Sequence, residues 1–88
     1  LPVEITFNGN VKDALTITNS TTNQAFKLNG NYSKQDTIVI DGIVPTVNGT
    51  EQYSKTNHAY LDFVKGWNDI SVSGATDYTI KFNTRFYY

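Results

Sequence analysis

From Tyr78 to the end of the chain the residues fall into two sets. Tyr78, Ile80, Phe82, Thr84, Phe86 and Tyr88 occupy one parity, while Thr79, Lys81, Asn83, Arg85 and Tyr87 occupy the other. A repeat of two is the signature of a β-strand with one dry face and one wet face. The same alternation returns in Val3, Ile5 and Phe7 around Glu4 and Thr6, in Leu15 and Ile17 around Thr16, and in Ile38 and Ile40 within a β-branched run. Abundant threonine and asparagine and sparse alanine disfavour helix interiors throughout. The chain is therefore expected to be all-β.

Turn residues divide it further. Asn8-Gly9, Asn29-Gly30, Asp41-Gly42 and Asn48-Gly49 each offer the positive φ that a tight hairpin needs. Asn19 to Asn23 reads as a polar loop between two strands, Thr50 to Asn57 as the longest irregular loop, and Lys65-Gly66-Trp67-Asn68 as a tight turn. Ile70 to Ser73 then makes a short strand, with a second turn at Gly74 before the final strand. Pro45 cannot donate to a ladder, so the strand Ile43 to Val47 is expected at an edge or bulged. With Tyr60-Leu61-Asp62-Phe63 as another strand, about eight emerge, the regular spacing of an antiparallel β-sandwich or jelly roll.

At 88 residues there is room for one small domain, covering residues 1–88, and the chain reads as a piece of a longer protein. A net charge of −1 and scattered lysines do not form the clustered cation surface that nucleic acid requires. No apolar run approaches the roughly 18 residues of a membrane-spanning helix. There is no cysteine, which removes disulfides, thiolate metal sites and a cysteine nucleophile together.

Catalytic constellations do not assemble from the remaining residues. The single histidine, His58, has no partner at an interpretable spacing, and a loop histidine with a structural hydrogen bond is the expected role. Asp36 with Asp41, or Asp62 with Asp69, would have to pair as glycosidase carboxylates do, yet each also sits where turns and edges favour aspartate. No acidic loop has calcium-binding spacing. Asn19, Asn31 and Asn48 open Asn-x-Ser/Thr triplets, which matter only in a secreted eukaryotic protein. The chain is expected to be neither an enzyme nor a holder of a metal or cofactor.

Aromatic residues are the better candidates for a contact. Tyr32, Tyr53 and Tyr60 lie in or beside loops, and Tyr87 falls on the polar parity of the last strand. Tyrosine suits surfaces where one end is dry and the other wet. Trp67 stands between a glycine and an asparagine, where an indole commonly folds over the end of a core, so packing is its first expected role. If exposed, it would join the four tyrosines as a partner or glycan contact.

Three segments carry a family resemblance. Ile17 to Leu28 with its Asn-x-Thr-Thr loop, Asp36 to Asp41 running into an aspartate, and Gly66 to Gly74 before an aromatic-rich ending resemble, in order and spacing, the C-terminal galectin-like domain of the distal tail proteins of siphophages and related prophages. The resemblance spans nearly the whole chain. Lys65 departs from it, since the family often has proline there. The resemblance implies a galectin-like β-sandwich and a structural virion protein of the bacteriophage tail-tip baseplate, assembled in the bacterial cytoplasm. Its implied partners are tail-hub subunits and receptor-binding proteins, and the parent's homo-oligomeric ring would form through an N-terminal domain absent from these residues. A carbohydrate-binding module that recognises a host cell-wall glycan is the alternative, because the fold resembles that of lectins and fold alone does not assign function.

Overall fold

The computed structural model describes residues 3–41, 44–59, 61–64 and 66–84. Among the described residues six strands form one curled antiparallel sheet: β1 Val3–Asn19, β2 Gln24–Asn29, β3 Ile38–Asp41, β4 Val44–Val47, β5 Thr50–Glu51 and β6 Ile70–Thr84. Strand β1 is the spine. Its first half pairs with β3 and its second half with β2, and β6 runs along its opposite edge throughout. Because the two halves of the spine carry different neighbours, bending β1 in the middle folds the sheet onto itself as a sandwich.

The bend comes from bulges, and these correct two expected turns. Asn8-Gly9 does not reverse the chain, and neither does Gly74; both lie inside long strands. Gly9 faces Asp77 and Tyr78 across the ladder, two residues against one, and Asp77 takes a φ of 53° to fit. Further on, the four residues Lys12 to Leu15 lie opposite the single Gly74, and Asp13 adopts a φ of 72°. Four of the eight expected strands thereby merge into two. Leu61 and Phe63 bury their side chains alternately as a strand would, but the backbone of residues 61–64 joins no ladder, so among the described residues that expected strand does not form. The expected irregular loop from Thr50 contains β5 and a short 3₁₀ turn at Tyr53–Lys55.

One expected hairpin turn holds. Asn48-Gly49 joins β4 to β5 in a two-residue loop with φ of 51° and 85°, the positive pair of a type I′ turn. The edge or bulge expected for the Pro45 strand is not found: β4 pairs in unbroken register with β3 on one side and with β5 on the other, Pro45 opposes Ile40, and its carbonyl accepts from Gln52 N. A residue's N–H and C=O point to the same edge of a strand, so the missing donor faces the two-residue β5 and the β3 ladder loses nothing. The core holds Ile5, Phe7, Val11, Leu15, Ile17, Phe26, Leu28, Ile38, Ile40, Leu61 and Phe63. All but the last two sit on strands whose alternation is visible in the sequence.

Candidate functional site

Two asparagine-centred knots hold the loops at opposite parts of the sheet. The first joins the end of β1 to the segment before β6. Asn19 is fully buried; its Nδ2 donates to the Asp62 carbonyl at 2.9 Å and to Asn68 Oδ1 at 3.1 Å, and its Oδ1 accepts from Thr21 N at 3.0 Å. Asn68 in turn pinches its own loop, accepting from Val64 N and donating to Val64 O, both at 2.9 Å. Ser20 N donates to Asp69 O, Asp69 N donates to Thr21 Oγ1, and Asp62 N donates to Gln24 Oε1. The Asn-x-Thr-Thr loop and the Gly-Trp-Asn turn are therefore one hydrogen-bonded unit.

Trp67 stands at the tip of that unit. It is 87% exposed, which corrects the expected packing of its indole over the core. Gly66, with a φ of 98°, turns the chain outward just before it. Burial of a large apolar side chain is worth roughly 1.5 to 3 kcal/mol, and here that gain is forgone. A fixed backbone presenting a bare indole has the build of a contact anchor, since tryptophan is among the residues that dominate interface energies.

The second knot ties the turn before β3 to the β4–β5 hairpin. Asp36 accepts from Ser33 N at 3.0 Å and from Asn48 Nδ2 at 2.9 Å, while Asn48 Oδ1 accepts from Thr37 N. Asn8 Nδ2 donates to the Asp36 carbonyl and to Thr37 Oγ1, anchoring the knot to β1. The backbone bond from Ser33, then the amide of Asn48, holds the Asp36 carboxyl below its ordinary value. A depressed carboxylate contributes stability above its unfolded pKa and loses it as pH falls through the folded one. The Asp36→Asn variant is thus expected to lie closest to the parent in stability below the ordinary aspartate range and to fall behind it toward neutrality, as read by urea unfolding at a series of pH values.

Of the other aromatic candidates, Tyr32 is half-buried against the core and its hydroxyl donates to the Asn29 carbonyl at 2.8 Å. Burial first, and the nearby Asp36 charge second, raise its phenol above the ordinary value. Tyr53 packs edge-on against the His58 ring at 4.6 Å, and the His58 backbone N–H donates to Thr56 Oγ1. Tyr60 and Tyr87 lie outside the described residues. Trp67, Tyr32 and Tyr53 belong to separate loops, and no shared cluster of them is formed by these contacts. Asn19 is too buried to carry a glycan, which removes the first Asn-x-Ser/Thr triplet.

The family described as Siphovirus-type tail component, C-terminal domain, matches residues 1–86. The chain belongs to this family. No curated protein and no solved structure matches it. The domain is thus a structural component of the phage tail, in the distal-tail family that the segments around Asn19 and Asn68 led one to expect. What those motifs do is now physical: they bond to one another and fix the loop that carries Trp67. Sequence spacing marked both segments without showing that Asn19 and Asn68 meet, because the meeting depends on how β1 and β6 pair.

Proposed function

We propose that the chain is the outer β-sandwich of a distal tail protein in the tail-tip baseplate, where it serves assembly and docks a receptor-binding protein through the Trp67 loop. Ring formation belongs to the parent's N-terminal domain, and assembly takes place in the bacterial cytoplasm. One observation carries the docking part of this reading: a tryptophan held almost wholly in water by a buried asparagine network. The remaining polar surface and a net charge of −1 suit recognition by shape rather than by long-range charge.

Replacing Trp67 by alanine tests it. Stability by urea unfolding is expected to change by under about 0.5 kcal/mol, as at exposed positions generally. Docking of the receptor-binding protein to purified tails is expected to weaken by roughly 30-fold, the loss of about 2 kcal/mol typical of an anchor. Crosslinking of intact virions from this loop should reach a neighbouring tail-tip subunit, and a loop that crosslinks to none defeats the docking role. The carbohydrate-binding alternative uses the same indole. Glycan retention that falls in the alanine variant, with docking unchanged, would transfer the site to sugar.

A further inference from the structure

Strand β6 pairs with β1 along one edge, and among the described residues nothing pairs with the other. The outer edge of β2 is treated differently. Leu28 bridges Thr56, Asn57 N donates to Lys27 O, and the Asn57 side chain accepts from Lys27 N and donates to the Ala25 carbonyl, so a side-chain amide stands where a strand would. An uncovered edge is a row of donors and acceptors ready for another strand. The flank of β6 is unfinished too. Tyr78 stacks on the buried Phe7 and Phe82 lies edge-on to Phe63, yet they remain 41% and 40% exposed.

We propose that the outer edge of β6, over Thr79 to Asn83, accepts an extended strand of another tail protein carrying an acidic residue opposite Lys81 and apolar residues opposite Ile80 and Phe82. The bulge at Asp77 limits regular pairing to the run from Thr79 onward, which matches Asn8 back to Val3 without a break. Within that run Ile80 and Phe82 oppose the buried Phe7 and Ile5, whereas Lys81 opposes Thr6 and faces water. An added strand would therefore meet apolar flanks on the inner face and one cation on the outer face.

A second copy of this chain is a poor occupant. Any antiparallel register that stays within the run and keeps both apolar flanks on one side sets Lys81 of one copy opposite or diagonal to Lys81 of the other. Like charges so placed are destabilising, and an opposite charge is favourable. The partner is a different chain, and residues 79–83 share no member with the Trp67 loop, so each can be varied alone.

The test uses the 88-residue chain and a short blocked peptide in which valines flank a central glutamate and threonines alternate beyond. Alternate backbone amides of Thr79 to Asn83 are expected to slow their hydrogen exchange roughly tenfold at saturating peptide. N-methylation of the peptide's alternate amides should abolish this. Lys81→Glu should weaken binding roughly threefold while a central lysine in the peptide restores it. In intact tails the same amides should exchange more slowly than in the isolated chain. Unprotected amides, indifference to N-methylation, self-association through β6, or exchange in tails as fast as in the isolated chain would each overturn the proposal.

Discussion

Gly74→Ala is expected to cost the fold about 2 to 5 kcal/mol, and in urea it should leave a substantial unfolded fraction well before the parent begins to melt. Two separate effects add. Gly74 has a φ of 81°, where an L-residue pays roughly 1 to 2 kcal/mol. A Cβ there would also overlap the carbonyl oxygen of Ala14, a backbone atom at the crest of the β1 bulge. That carbonyl cannot swing aside like a side chain, because four residues of β1 are gathered opposite this one position of β6. Overpacking of this kind costs typically 1 to 3 kcal/mol. With about 4 to 13 kcal/mol available to a chain of this size, the sum is a large share.

The Gly49→Ala variant separates the two contributions. Gly49 has a nearly equal φ of 85°, and nothing lies within 4 Å of where its Cβ would stand. It is expected to lose only the conformational part, about 1 kcal/mol. Equal losses in the two variants would mean that the strands do not approach at Gly74 as described.

Why that glycine and Asn8-Gly9 look like turns in the sequence follows from the same physics. A reversal and a bulge both call for a residue that tolerates positive φ or close approach, so the local signal is identical. What distinguishes them is whether a neighbouring strand continues past the point, and that is a property of the whole sheet. Alternation, in contrast, is local, and it marked the buried face of Ile5, Phe7, Leu15, Ile17, Ile38 and Ile40. On the last strand the same signal marked Tyr78 and Phe82, which stay 41% and 40% exposed because no second layer covers them fully. Leu61 and Phe63 show its limit: two side chains of one parity can both be buried while their backbone joins no strand ladder and Phe63 N donates to the Asp62 side chain instead. Trp67 shows the other limit. Its composition favours burial, but its exposure is decided by Asn68 closing the loop beneath it and by Asn19 holding Asn68, contacts spanning a separation of 49 residues. The Asn48-Gly49 hairpin was legible because all of its determinants lie within four consecutive residues.

Asn19→Ala is the second large effect. The substitution would remove one bond each from the Asp62 carbonyl, from Asn68 Oδ1, which keeps Val64 N, and from the Thr21 N–H, and would empty a side-chain site with no access to solvent. Each of the three lost bonds contributes about 1 kcal/mol, which puts the expected total near 3 kcal/mol. At a urea slope of roughly 1 kcal/mol/M for a small domain, the midpoint should fall by about 3 M. Asn19→Asp probes the direction of the bonds. Its oxygens can still accept from Thr21 N, but the two donations become contacts between acceptors, so at neutral pH it should be at least as damaging as alanine. Acidification would return one donor, and the deficit relative to the parent should then narrow. Pairing Asn19→Ala with Asn68→Ala completes the argument, because residues in one network are non-additive. If Asn19 acts through Asn68, the double variant should lose less than the two single losses combined. Strict additivity would mean that the Trp67 loop is held by something other than this pair.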